Sequence, residues 1–404
     1  MSELTQDQKF MQRAIALAKL GQYSTKPNPN VGCVIVKDEQ VIGEGYHPKA
    51  GQPHAEVFAL RRAGEHAKGA TAYVTLEPCA HYGRTPPCAE ALVKAQVKKV
   101  IIACADPNPL VAGQGVKILK DAGIEVEIGV CEQSAKNLNL GFLKAMSTGQ
   151  PYVRLKVASS LDGRTAMASG ESKWITGAVA RQDVQHWRAI SGAVITGIQT
   201  VLADDCELNV RQLSIYPPLN LPPVGRETYT YSMSDTTGEA PVFSQEMRSD
   251  VVAQGELTVD LANIVQPKRI VLDRQARLPI SAQILQNPET VMVMTPFRQD
   301  LADLGVIQFA PQPLDQLLQQ LCQQHQIYDV LVEAGATLST AFLQQGLVDE
   351  MISYVAPTLL GQTARPLFSA EFNRMAEQFR FQLLDVTQLG QDIRLRLRPT
   401  QEMI

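Results

Sequence analysis

The chain has 404 residues, too many for one ordinary hydrophobic core and enough for two or three domains. With 45% apolar and 19% charged residues, its composition is that of a globular protein and excludes a disordered or fibrous one. A formal net charge of -4 argues against a polyanion-binding surface, so nucleic acid is not an expected partner, while a local basic pocket for one phosphate stays open.

The opening MSELTQDQKF has no basic segment followed by an apolar stretch, which predicts no export or transit signal and a cytoplasmic location. No run approaches the roughly 18 apolar residues of a membrane span. Seven cysteines, an odd number spread over the chain, fit reduced thiols with a specialised subset better than a disulfide framework.

Thr5 and Gln8 form a capping-box pattern ahead of Phe10, Met11, Ala14, Ile15 and Ala18, whose spacing predicts a first helix with one apolar face. Val31 to Val36 and Val41 to Tyr46, separated by four polar residues, predict a strand hairpin. A helix from about His54 to Ala63 follows. Next come a strand over 72–76, a helix over 89–95, a strand over 100–103, a helix over 115–122, a strand over 125–128 and a helix over 134–146. Such alternation means a helix-covered mixed or parallel sheet.

Ser147 to Pro151 breaks the pattern, and a strand from Tyr152 to Ala158 restarts it. Domains are therefore expected over 1–146 and 151–404. Strands over 193–196, 269–272, 290–295, 329–333 and 350–355 alternate with helical segments in the second half. Prolines and weak periodicity predict an irregular insertion around 213–266.

His54-Ala55-Glu56, Cys79 after Pro78, and Cys88 eight residues beyond supply one imidazole, two thiols and a carboxylate. Three protein ligands suit a catalytic zinc, whose fourth position stays open for water made acidic by the metal. His54, Cys79 and Cys88 are the predicted ligands, and Glu56 the general acid and base. Cys88 directly precedes a predicted helix, whose positive end is expected to lower its pKa. A closed structural zinc site is the alternative, but it would leave Glu56 without a task. The pattern matches the H-x-E and P-C signature of zinc nucleobase deaminases, with a longer gap before the last cysteine than the usual two residues. His66 and His325 stand alone and read as ordinary histidines.

Pro27-Asn28-Pro29-Asn30-Val31-Gly32, Gly45-Tyr46-His47, Thr75-Leu76-Glu77-Pro78-Cys79 and His81-Tyr82-Gly83-Arg84-Thr85-Pro86-Pro87-Cys88 complete the set. Together they resemble the bifunctional deaminase-reductase family of riboflavin biosynthesis. The resemblance implies a cytidine-deaminase-like α/β/α domain followed by a dihydrofolate-reductase-like α/β domain, with Zn2+ and NADPH as cofactors and a phosphorylated pyrimidine as substrate. It also implies that Asn28, His47 and His81 line the deaminase pocket; turn chemistry is the alternative for Asn28 and a loop position for His47. A homo-oligomer is compatible with this family type.

In the second half, Gly335-Ala336-Thr337-Leu338-Ser339 follows a predicted strand and runs into a helix, an arrangement whose free amides can receive phosphate, with an ordinary strand-to-helix turn as the alternative. No G-x-G-x-x-G fingerprint is present. Lys156 to Arg164, Ser172 to Thr176, Thr196 to Asp205 and Glu333-Ala334-Gly335 are similar to the reductase half of the same family. The resemblance implies NADPH contacts from Ala158, Trp174, Thr200, Asp204, Gly335, Ala336, Thr337, Leu338, Ser339, Thr340 and Ala341. It implies substrate contacts from Ser172, Arg188, Leu208, Arg211 and Glu333, arginine suiting a ribose phosphate because its planar fork donates two parallel hydrogen bonds. By themselves Trp174 and Trp187 read as core aromatics, Asp204 as a turn or cap, and Arg188 as part of a solvated face. Cys206 stands where this family usually has proline.

Overall fold

The computed structural model describes residues 3–82, 86–108, 111–211, 213 and 264–400. Packing divides the chain into two compact units, Met1–Ser147 and Thr148–Leu213 with Ile264–Ile404. Apart from Leu213 and residues 264–266, the expected insertion lies outside the described residues.

The first unit opens with α1 (Gln6–Ala18), capped reciprocally: the Thr5 hydroxyl accepts from the Gln8 backbone at 3.3 Å and the Gln8 side chain accepts from the Thr5 backbone at 3.0 Å. Strands β1 (Gly32–Lys37) and β2 (Gln40–Tyr46) form the expected hairpin, turned by Asp38 and Glu39 at positive φ. Then follow α2 (Ala55–Ala63), β3 (Thr71–Val74), α3 (Cys88–Lys94), β4 (Lys99–Ile102), α4 (Gln114–Asp121) and β5 (Glu125–Ile128). The sheet order is β2-β1-β3-β4-β5, antiparallel among the first three strands and parallel beyond. One face carries Cys33, Ile35, Val74, Val100 and Ile102 beneath Ala59, Leu92 and Leu119 of the helices. The other carries Val34, Val36, Tyr73 and Ile101 beneath Phe10, Met11 and Ala14. Gly45 lets α2 lie directly on β2, since a Cβ there would stand 2.6 Å from the Ala55 carbonyl oxygen. That close approach sets the amino end of α2, where His54 and Glu56 sit, against the sheet.

The single helix expected over 134–146 is two helices, α5 (Glu132–Leu138) and α6 (Leu140–Thr148). The reason is Asn139, which leaves the helical region at φ -134° and ψ 33°. Its side chain accepts from the Asn30 backbone at 2.7 Å and donates to the Asn30 carbonyl at 2.9 Å, while the Asn30 amide donates to the Leu138 carbonyl at 3.1 Å. Asparagine bonding the backbone of another segment competes with helix continuation, and here the break anchors the Pro27–Gly32 turn.

The second unit contains β6 (Tyr152–Ser160), β7 (Arg164–Ala166), α7 (Ala178–Ile190), β8 (Ala193–Gly197) and α8 (Ile198–Asp204). It continues with β9 (Lys268–Leu272), β10 (Val291–Met294), α9 (Gln299–Asp303), β11 (Ile307–Phe309), α10 (Leu314–His325), β12 (Asp329–Glu333) and α11 (Ala336–Gln344). β13 (Glu350–Ala356), β14 (Arg365–Pro366), β15 (Phe381–Leu389) and β16 (Asp392–Pro399) close it. Its main sheet runs β11-β10-β9-β8-β12-β6-β13-β16-β15, parallel as far as β13, with β16 and β15 added antiparallel. Near-continuous apolar strands such as β10 are buried on both faces, as parallel strands are. The β15–β16 hairpin was not legible from apolar runs, because Arg394, Arg396 and Arg398 alternate with Ile393, Leu395 and Leu397.

Candidate active sites

Three loops at the carboxyl edge of the first sheet bring the metal-type side chains together. His54 is the N-cap of α2, Cys79 follows β3, and Cys88 opens α3 behind Pro87. One ligand atom from each lies within 4.8 Å of the other two. Nδ1 of His54 is 3.6 Å from the Cys79 sulfur and 3.3 Å from the Cys88 sulfur. Glu56, in the first turn of α2, is 3% exposed, and its Oε2 is buried without a hydrogen-bond partner. Burial pushes its carboxyl up from the usual range.

The two thiols are not equivalent. A hydrogen bond from Cys88 holds the Cys79 thiol down to about 4, whereas Cys88, bonded to Cys79 and buried, is pushed up. Both directions express one proton shared in a sulfur–sulfur hydrogen bond at the start of the seven-residue α3. A divalent cation would favour both thiolates at once.

The loop that carries Cys79 is braced from below. The buried Glu77 carboxylate accepts from the backbone of Asp106 at 3.3 Å, Gly113 at 3.2 Å and Val116 at 3.3 Å. Gly115 lets the start of α4 meet Pro78; a Cβ there would stand 2.0 Å from the Pro78 carbonyl oxygen. Neither residue was singled out from the sequence, although Glu77 lies inside the Thr75 to Cys79 motif.

Asn28 and His47 are brought together, the Asn28 amide 3.1 Å from Nε2 of His47 and Nδ1 of His47 3.1 Å from the Pro53 carbonyl. The His47 ring lies 5.2 Å from that of His54, edge to face. Burial lowers the His47 pKa to about 4, so the imidazole is neutral. His81 is exposed, and no hydrogen bond joins it to Asn28 or His47. Its neighbours Gly83, Arg84 and Thr85 lie outside the described residues. His66 is exposed, and His325 packs edge to face on Phe309, both as ordinary histidines.

In the second unit, a cavity of about 1260 Å³ opens at the carboxyl ends of β6, β8, β9 and β12, the usual place for a ligand on a parallel sheet. Ala158, Ser172, Trp174, Arg188, Thr200, Asp204, Leu208, Arg211, Glu333, Gly335, Ala336, Thr337, Leu338 and Ala341 all line it. Ser339 and Thr340 do not. Both are buried, the Ser339 hydroxyl donating to the Ala334 carbonyl and the Thr340 hydroxyl accepting from the Ser369 backbone. Trp187 is the core aromatic of the alternative reading, but Trp174 is 69% exposed, with the Arg181 guanidinium 4.2 Å above its ring. Gly335 caps α11 without a side chain, so no side chain occupies the first-turn amides. Arg274 and Arg277 also line the cavity. The sequence signal for them was their place just after a parallel strand.

Two family matches cover the two units. Residues 4–104 match the cytidine and deoxycytidylate deaminase zinc-binding region, and residues 151–395 match the RibD C-terminal domain. The chain is 46% identical over 402 residues to the riboflavin biosynthesis protein RibD of Haemophilus influenzae, covering 98% of each chain. The chain belongs to the RibD family. The RibD protein of Escherichia coli is 45% identical, with 97% of this chain and 99% of the other covered. A solved structure of Acinetobacter baumannii RibD superposes with a TM-score of 0.86 at 70% identity, covering 99% of this chain and all of that one. A Thermotoga maritima structure described as a diaminohydroxyphosphoribosylaminopyrimidine deaminase/5-amino-6-(5-phosphoribosylamino)uracil reductase superposes with a TM-score of 0.78 at 30% identity over 98% and 99%.

RibD enzymes are bifunctional, with a zinc deaminase half and an NADPH-dependent reductase half in riboflavin biosynthesis, and both folds are present here. The residues present fit both groups. Two sulfurs and a nitrogen converge beside an orphaned buried carboxylate oxygen, which is the donor set of a catalytic zinc. The cavity of the second unit offers arginines and an uncapped helix start to a phosphorylated dinucleotide. Among the described residues, no helix is long and apolar enough to cross a membrane.

Proposed function

We propose that residues 1–146 form a deaminase domain that hydrolytically removes the 2-amino group of 2,5-diamino-6-(5-phosphoribosylamino)pyrimidin-4(3H)-one. Residues 151–404 then form the domain that reduces the ribosyl group of 5-amino-6-(5-phosphoribosylamino)uracil to ribityl. The observation that carries the first assignment is the partnerless Oε2 of Glu56 beside His54, Cys79 and Cys88. Zinc on those three ligands supplies the Lewis acidity that makes water a nucleophile at neutral pH. Glu56 is the proton carrier: Oε2 takes a proton from the attacking water and delivers one to the departing amine, so water and amine become carbonyl and ammonia. Asn28 orients the pyrimidine, held by a His47 whose neutral ring accepts its amide. His81 completes the pocket from its exposed loop.

In the second domain, NADPH supplies the hydride. Ala158, Trp174, Thr200, Asp204 and the cavity-lining residues from Gly335 to Ala341 hold the cofactor, the α11 amides receiving phosphate oxygens. Ser172, Arg188, Leu208, Arg211 and Glu333 hold the substrate; Arg211 suits its phosphate, with a side chain 56% exposed and, among the described residues, a 3.8 Å ion pair with Glu207. A cytoplasmic location accords with seven free cysteines.

The test supplies purified protein with the diaminopyrimidine phosphate, with and without NADPH. Ammonia release in both cases, and NADPH oxidation only after deamination, is the expected result. Ammonia without NADPH oxidation would refute the reductase assignment, and no ammonia would refute the deaminase.

A further inference from the structure

Asn139 does more than end α5. Its Oδ1 accepts from the Asn30 backbone amide at 2.7 Å and its Nδ2 donates to the Asn30 carbonyl at 2.9 Å, so one side-chain amide pairs with one backbone residue as a neighbouring strand would. The Asn30 side chain completes the tie: its Nδ2 donates to the Leu138 carbonyl at 3.1 Å and its Oδ1 accepts from the Thr25 hydroxyl at 2.9 Å. Thr25 and Asn139 are both buried, where leaving such groups unpaired costs most. The helices on either side of Asn139 make a firm base, since Ala135, Leu138, Phe142 and Leu143 pack with Phe10, Ile15 and Tyr46.

We propose that Asn139 is a positioning residue for deamination: it fixes the 27–31 turn so that Asn28 meets the pyrimidine in one orientation. The proposal rests on the substrate role given to Asn28 above. The turn has few backbone donors of its own, because Pro27 and Pro29 carry no N–H. The Asn28 backbone donates to the Thr25 carbonyl at 2.9 Å, and the Val31 carbonyl accepts from the His47 backbone at 2.9 Å. Asn139 takes the one backbone N–H between Asn28 and Val31, and the carbonyl of the same residue as well. A rotation at Asn30 is passed back to Asn28 through Pro29, whose ring leaves φ little freedom to absorb it. The Asn28 side chain lies 3.1 Å from Nε2 of His47, and a misplacement of about 1 Å is enough to spoil contacts of that kind. The match to the deaminase zinc-binding region ends at residue 104, so this tie puts a segment beyond it in the service of the pocket.

The test uses the full chain loaded with zinc. Asn139→Gly keeps a residue free to leave the helix and removes the tie; Asn139→Ala takes its place if that variant does not fold. Deaminase KM is expected to rise about tenfold with kcat changed by less than about threefold. Bound zinc should stay stoichiometric and reduction of supplied aminouracil phosphate unchanged. In an Asn28→Ala background the same substitution is expected to move KM by less than about twofold, because Asn28 carries the loss. An unchanged KM in the single variant, or the full loss repeated in the Asn28→Ala background, overturns the proposal. Loss of bound zinc in Asn139→Gly overturns it as well, since the effect would then reach the metal rather than the turn. Hydrogen exchange gives a readout without substrate. The Asn28 and His47 backbone amides are expected to exchange about tenfold faster in Asn139→Gly, and unchanged protection at both overturns the tie. That measurement decides alone if Asn28→Ala is too slow to assay. Wild-type deamination by Asn28→Ala would refute the substrate role of Asn28, with the exchange rates still deciding whether Asn139 holds the turn.

Discussion

Nε2 of His47 accepts a hydrogen bond from the Asn28 side-chain amide while Nδ1 of the same ring donates to the Pro53 carbonyl. That pairing requires a neutral imidazole, because a carbonyl can only accept and an amide N–H can only donate. The folded pKa of about 4 lies below the unfolded value near 6.5. The unfolded chain therefore binds the extra proton first, and stability falls as pH drops from about 6.5 toward 4. His186 in the second unit, lowered to about 4 by burial, adds to the same window. Denaturation midpoints of His47→Gln across pH 4 to 7 should show a flatter acid dependence than the parent, by up to roughly 3 kcal/mol over the window. An unchanged slope would mean that His47 is not buried neutral.

Glu56→Gln keeps the size of the side chain and removes its basicity. Deamination should fall by about 10²-fold or more while bound zinc stays stoichiometric. Ammonia release and metal analysis on the same preparation check this, and reduction of supplied aminouracil substrate should be unchanged.

Removing zinc with a chelator should separate the two activities. Ammonia release should stop and return on adding zinc, while NADPH oxidation with the deaminated substrate continues, since none of His54, Cys79 and Cys88 lines the cavity of the second unit. Loss of both activities together would mean that the metal supports the whole chain.

Gly115→Ala introduces a methyl group where the Pro78 carbonyl oxygen would be 2.0 Å away. The Pro78–Cys79 loop or the start of α4 must shift, at a cost of about 1–3 kcal/mol. Lower zinc affinity and a lower melting temperature are expected, read by competition with a chromogenic chelator and by calorimetry.

Arg211→Ala removes a solvent-accessible cation at the cavity without leaving a buried charge unpaired. KM for the phosphorylated substrate should rise roughly 10- to 100-fold with little change in KM for NADPH, the range expected for a charge-assisted hydrogen bond. Steady-state kinetics with each substrate varied in turn decides it.

How much of this was legible in the chain depends on whether the signal is local. The capping box at Thr5 and Gln8, the hairpin around Asp38 and Glu39, and the spacing of His54, Glu56, Cys79 and Cys88 are short-range features, and sequence by itself determined them. They depend on backbone propensity and ligand chemistry, which neighbours in the chain carry with them. The break at Asn139, the burial of Ser339 and Thr340 and the ion pair of Arg188 with Glu333 were decided only by tertiary structure. Each is set by a partner far along the chain or by a neighbouring helix: Asn30 for Asn139, Ser369 for Thr340, Glu333 for Arg188. A guanidinium or an amide offers the same donors wherever it stands, and only packing decides whether they meet a ligand or the protein's own carboxylates and carbonyls.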